Sequence, residues 1–134
     1  MNALYDKGRQ KFLEGAVAWL TDDIKCCLVN GTDYTVNLGS DEFLSDIPGA
    51  AIIATSGNLA SKTSTGGVAD AADINFTAVS GDQIDAIVIY KDTGSDATSP
   101  LLLYCDSGVG LPFTPIGSDI LLGWENGSTK IFKL

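Results

Sequence analysis

The side chains that could do chemistry in this 134-residue chain are carboxylates, thiols and hydroxyls, because it contains no histidine. Without imidazole there is no Ser-His-Asp or Cys-His arrangement, no side chain that titrates near neutrality unaided, and none of the commonest metal ligand. The three cysteines, Cys26, Cys27 and Cys105, lie in the apolar runs Ile24–Val29 and Leu101–Cys105. Two are adjacent and the count is odd, so the spacing makes neither a disulfide framework nor a zinc tetrahedron. It predicts thiols buried as small hydrophobes. Asp70 with Asp73, and Asp92 with Asp96, offer oxygen ligands, but neither pair belongs to a twelve-residue calcium loop ending in Glu. Asp82, Asp92, Asp96 and Asp106 stand in turn-like surroundings, where Asp caps its own backbone rather than forming a catalytic dyad. Gly108-Val109-Gly110 lacks the third glycine and the helix of a phosphate loop. The expectation is no catalytic residue, no metal and no cofactor.

Charge narrows the partners. Eight Lys and Arg face seventeen Asp and Glu, a net charge of −9. Residues 1–25 balance four bases against four acids, and Lys130 and Lys133 add two bases near the end, so residues 26–129 carry −11. Phosphate neutralisation needs Lys and Arg, so nucleic acid is excluded as a partner. Like charge keeps copies apart, and a docking surface is expected near the termini, where that repulsion is weakest. Charged residues within the first fifteen positions break any signal-peptide core, and the stretch 47–61 is too short and polar to span a bilayer. The chain is therefore expected to be made in a cytoplasm and to have no membrane partner. Apolar residues make up 45%, enough for a core and too many for a disordered acidic tail.

The elements that must position any site are mostly short strands. Residues 3–14 read as a helix, with Leu4, Tyr5, Phe12 and Leu13 on one side, Gly8 weakening its middle and Gly15 stopping it. Residues 1–20 form an arm that packs on the domain or on a partner, and 21–134 form one β-rich domain. Ile24–Val29 predicts a buried strand ended by Asn30-Gly31, with Asp33–Leu38 pairing back on it. Asp41–Ile47 predicts a second short helix ended by Pro48. Strands are expected over 51–55, 59–63, 68–72 and 74–79. Ile84–Tyr90 reads as a central strand covered on both sides, with Ile84, Ala86, Val88 and Tyr90 facing one way. Leu101–Asp106 returns antiparallel to it. Ile120–Trp124 and Lys130–Leu134 flank Asn126-Gly127, a hairpin signal. Trp19 and Trp124 are expected to be structural. Together these elements predict a mainly β protein, an antiparallel β-sandwich or partly open barrel with a short N-terminal helix and one further short helix.

Four segments together carry a resemblance. They are Ala3-Leu4-Tyr5-Asp6-Lys7-Gly8-Arg9, Phe43-Leu44-Ser45-Asp46-Ile47-Pro48, the block 87–94 with its continuation 97–101, and Trp124-Glu125-Asn126-Gly127 with Lys130-Ile131-Phe132-Lys133-Leu134. The chain resembles a group of small tailed-bacteriophage structural proteins over nearly its whole length. Cys26-Cys27 departs from the aliphatic residues expected there. The resemblance implies a virion component, and a head cement (decoration) protein is similar in size, β content and acidity. It implies a non-enzymatic protein located in the virion. Its partner would be the outer surface of the major capsid protein, with homo-oligomer or self-contacts on the particle. The alternative is a tail-associated or surface adhesion module recognising host envelope or glycans. The residues expected to meet a partner are Leu4, Tyr5, Arg9, Phe12, Lys130 and Phe132, apolar or basic side chains near the two ends.

Overall fold

The structure, a computed structural model, describes residues 2–108 and 110–134. In chain order the elements are β1 (Asn2–Leu4), α1 (Asp6–Leu13), β2 (Ile24–Val29), β3 (Ile52–Thr55), β4 (Val68–Ala69), β5 (Ile74–Phe76), β6 (Ala86–Lys91), β7 (Leu101–Cys105), β8 (Ile120–Leu122) and β9 (Phe132–Lys133). The protein is mainly β, and every strand pair is antiparallel. Five strands form one sheet in the order β1-β7-β6-β2-β3. Two small ribbons, β4-β9 and β5-β8, stand apart from it. Since β1 and β3 each pair on one side only, the sheet stays open.

The most apolar runs sit at the centre, as they must when both faces of a sheet are covered. Alternation along β2 sends Cys26 and Leu28 into one core and Cys27 and Val29 into the other. Along β6 it sends Ile87 and Ile89 to the first core and Ala86, Val88 and Tyr90 to the second. The first core is closed by Trp19, Leu59, Phe76 and Phe132, the second by Tyr5, Tyr34, Leu44 and Ile47. A register shift next to Ile89 and Tyr90 leaves Leu102 and Leu103 together in the first core while Leu101 and Tyr104 belong to the second.

Several expectations are corrected. The helix begins at Asp6, because Asn2–Leu4 pairs with β7 and Tyr5 is extended. Pairing and alternation bury Leu4 in the first core and Tyr5 in the second, so the first residues are fastened to both sides of the sheet. Asp33–Leu38 forms no strand, and the expected strand at 59–63 shrinks to a single bridge between Thr63 and Asp70. The second helix shrinks to a 3-10 turn over Leu44–Asp46, because the Asp46 carboxylate accepts the backbone N–H groups of Glu42 and Phe43 and ties the turn locally. Ile84 lies in the core of Ile87 rather than that of Val88, since it precedes β6 and bridges Phe113. No hairpin forms at Asn126-Gly127: β8 pairs with β5 and β9 with β4. Phe132 is the reason, because it seats between Trp19 (edge-on, ring centroids 5.2 Å apart) and Phe12 (5.7 Å). That burial outweighs a turn preference worth a fraction of a large aromatic side chain.

Candidate docking cleft

A cleft of about 1010 Å³ opens between the first face of the five-stranded sheet and the C-terminal segment. Its floor holds Leu28, Ile87 and Leu103, which strand alternation turns to this side. β1 borders one flank and β8 another, while Trp124 and Ile131 come from the chain that runs from β8 to β9. Phe113 and Leu121 also border it and are exposed, Leu121 at 70%. Apolar side chains left in water beside a concave surface mark an interaction site more strongly than isolated ones do.

The rim carries Arg9, Lys130 and Lys133 against Asp119 and Glu125. Three of the chain's eight bases thus border one cleft in a molecule of net charge −9. The two carboxylates are already bonded. Asp119 accepts the backbone N–H of Ala78 at 2.8 Å and the Asn75 amide at 3.3 Å, which hold its pKa below the usual carboxylate range. Glu125 accepts the Thr129 hydroxyl at 3.0 Å. Lys130 pairs with Asp70 at 3.3 Å and Arg9 with Asp6 at 3.5 Å. Lys133 makes no ion pair among the described residues.

Of the six residues expected to meet a partner, the cleft gathers Leu4, Arg9, Lys130 and Phe132. Leu4 and Phe132 are buried and serve as its wall, whereas Arg9 and Lys130 are exposed on its rim. Phe12 is half-buried against the first core and does not border the cleft. Tyr5 lies across the sheet, fully buried, its hydroxyl 2.9 Å from that of Tyr34, which donates to the Asp41 carboxylate at 2.7 Å. A side chain sealed there cannot touch a partner. The sequence reading missed Trp124, Leu121, Phe113 and Lys133. Lys133 had the same end-of-chain signal as Lys130, while nothing local in Ile120–Leu122 says that Leu121 stays in water.

The other candidate chemistries are absorbed into structure. Asp70 is held by Lys130, Asp73 accepts the backbone N–H of Trp124 at 3.3 Å, and Asp92 pairs with Lys25 at 2.7 Å and accepts the N–H of Gly94. Among the described residues no three His, Cys, Asp or Glu side chains gather to hold a metal ion. Cys26 and Cys27 are fully buried on opposite faces of β2, and burial pushes the Cys27 thiol up to about 12 and Cys26 well above its ordinary value. Burial likewise raises Cys105 and the phenols of Tyr5, Tyr34, Tyr90 and Tyr104. Burial lowers Lys62, which the nearby Asp22 and Asp23 oppose, and its ammonium bonds the Asp22 carbonyl. Among the described residues no helix is long and apolar enough to cross a membrane. No family model matches the chain, and no curated protein matches it significantly.

Proposed function

We propose that this chain is a non-enzymatic structural protein of a bacteriophage virion, a cement protein that seats on the outer surface of the major capsid protein and stabilises the head. The observation that carries the reading is the cleft: an apolar floor and exposed Leu121 and Phe113, with three bases and two carboxylates on its rim, in an otherwise acidic molecule. Such a surface works by fit. The titratable groups point the same way, since burial moves thiols and phenols up, away from the range in which protons are exchanged at neutral pH. The resemblance to small tailed-phage structural proteins supplies the setting. Copies repeated over many equivalent capsid sites gain avidity where they also touch one another, and about 1,600 Å² of buried surface suffices for a stable interface.

A second reading has its own support. Trp124 on the cleft wall, with Asp119 and Glu125 on the rim, is also what a glycan-binding surface offers, which favours a tail-associated module recognising host envelope or glycans. Copy number separates the two. In purified particles the cement reading expects a ratio to the major capsid protein near one to one, with particles lacking the chain losing heat resistance. A handful of copies located at the tail would favour the second reading, and absence from particles would overturn both.

A further inference from the structure

The sequence contains two Asn-Gly steps, Asn30-Gly31 and Asn126-Gly127, and the fold treats them in opposite ways. Such a step carries its own reaction. The backbone nitrogen of the glycine attacks the side-chain carbonyl carbon of the asparagine, and glycine, with no Cβ, hinders the approach least. The attack needs an asparagine amide free to turn, a glycine N–H without a tight partner, and a backbone that can bend to close the ring.

Asn30-Gly31 is denied all three. Asn30 is 5% exposed. Its amide oxygen accepts the N–H groups of Thr32 at 3.0 Å and Asp33 at 3.2 Å, and its amide nitrogen donates to the Gln83 carbonyl at 2.7 Å. Its own backbone N–H donates to the Ala51 carbonyl at 2.8 Å. The Gly31 N–H donates to the Asp85 carboxylate at 2.6 Å. Electrophile and nucleophile are both held in place.

Asn126-Gly127 meets none of these restraints. Both residues are exposed, and the hairpin that would have ordered them does not form. Among the described residues no hydrogen bond holds the Asn126 side chain or the Gly127 N–H. The nearest pins lie to either side. Trp124 donates its backbone N–H to Asp73 at 3.3 Å and its indole N–H to the Ala72 carbonyl at 3.2 Å. Beyond the step, Lys130 pairs with Asp70 at 3.3 Å and the Ile131 N–H donates to the Ala69 carbonyl at 3.1 Å.

From this we infer that Asn126 is a site of spontaneous deamidation, whereas Asn30 in the same dipeptide is protected. The Gly127 nitrogen bonds to Cγ of Asn126. The bond from Cγ to the side-chain nitrogen breaks, and that nitrogen leaves as ammonia with the proton lost from Gly127. Water then opens the cyclic imide. Opening at the side-chain carbonyl gives aspartate, and opening at the backbone carbonyl gives isoaspartate, whose main chain runs through Cβ and Cγ. Nothing is oxidised or reduced. Either product adds a negative charge to a net charge of −9. It arrives in the segment that lends Glu125 and Thr129 to the docking cleft, and Gly127 and Ser128 to a smaller cleft beside Lys130. The reaction needs no partner, so it stands apart from the virion reading.

The test is to age the folded full chain in mildly alkaline buffer and map both steps by peptide mass spectrometry, with an isoaspartate methyltransferase to mark the rearranged product. Asn126 should convert at least about tenfold faster than Asn30, which reacts only from a locally opened state. Isoaspartate should appear at position 126. Gly127→Ala should slow the conversion several-fold; its Cβ would meet only the end of the Glu125 side chain, at 3.2 Å, so the fold tolerates it. In the urea-unfolded chain the two steps should react at rates within about threefold of each other, because the fold supplies the protection. Equal rates in the folded chain, conversion without isoaspartate, or a Gly127→Ala protein that converts as fast as the parent would overturn the proposal. So would a preference for Asn126 that survives unfolding, which would assign the difference to neighbouring residues.

Discussion

Replacing Gly8 by alanine sets a gain in helix propensity against a collision, and the collision should win. Gly8 is buried in the first turn of α1, where Ala is favoured over Gly by up to about 1 kcal/mol in the absence of other contacts. A Cβ at this position would stand 2.5 Å from the carbonyl oxygen of Leu101 and 3.1 Å from Cα of Leu102. Both atoms are backbone of β7, which is held by β1 on one side and β6 on the other, so no rotamer change relieves the contact. The helix has to lift by at least about 0.5 Å to restore even a tight 3.0 Å contact, and gaps of that size forfeit a quarter or more of the dispersion energy across the interface. Overpacking of this kind costs about 1–3 kcal/mol. Less the propensity gain, the expected net loss is up to about 2 kcal/mol, or a fall in Tm of up to roughly 10 °C for a domain of this size. Urea unfolding followed by tryptophan fluorescence measures it. Gly49→Ala is the control: it has no atom within 4 Å of the added carbon, and its stability should stay within about 0.5 kcal/mol. A Gly8→Ala protein as stable as the parent, or more so, would refute the reasoning.

Three further outcomes are expected. Because the Tyr34 hydroxyl donates to Asp41, the Tyr5 hydroxyl must donate to Tyr34; Tyr34→Phe strands that fully buried donor and should cost about 1–3 kcal/mol. Tyr5→Phe strands no donor and should cost less, about 0.5–1.5 kcal/mol in the same unfolding assay. Phe132→Ala removes the ring that seats between Trp19 and Phe12 and should cost about 3–5 kcal/mol, with a change in Trp19 fluorescence before global unfolding. The pH limits follow from burial and from local hydrogen bonds. The Cys27 thiol is raised to about 12 by burial, so the folded state holds this proton more tightly; its contribution is whole below the unfolded value near 9 and falls as pH rises toward 12, by up to about 1.4 kcal/mol per pH unit. On the acid side, backbone N–H groups of Glu42 and Phe43 hold Asp46 low, and Lys25 and Gly94 hold Asp92 low, so their small contribution is whole above about pH 4 and fades as pH falls through their folded values. Stability should therefore be level from pH 5 to 8 in a denaturant titration; a maximum at pH 10 would contradict the thiol assignment, and stability that stays level down to pH 2 would contradict the carboxylate one.

Local signals in the chain carried much of this architecture. The run 24–29, apolar but for Lys25, predicted a buried strand and the run 84–90 a central strand covered on both faces, and they became β2 and β6, which pair with each other. The polar loop 91–100 announced the antiparallel return of β7. Adjacent cysteines, read as small buried hydrophobes, fall one into each core because neighbours on a strand face opposite ways. The charge balance near the ends pointed to Arg9 and Lys130, which the fold does place on one rim. What no window of sequence contains is the choice of partner for short strands. Asn126-Gly127 argued for a hairpin, but β8 and β9 offer three and two residues, too few hydrogen bonds to hold each other once Phe132 can be buried beside Trp19. Gly8 looked like a flaw in a helix and is the contact that lets the helix lie on β7. Tyr5 read as an exposed anchor and is sealed by Tyr34 across 29 residues of chain. Pairing and burial depend on residues distant in sequence, whose energies add only after the chain has closed on itself, and the cleft exists because residues from both ends of the chain line it around the first face of the sheet.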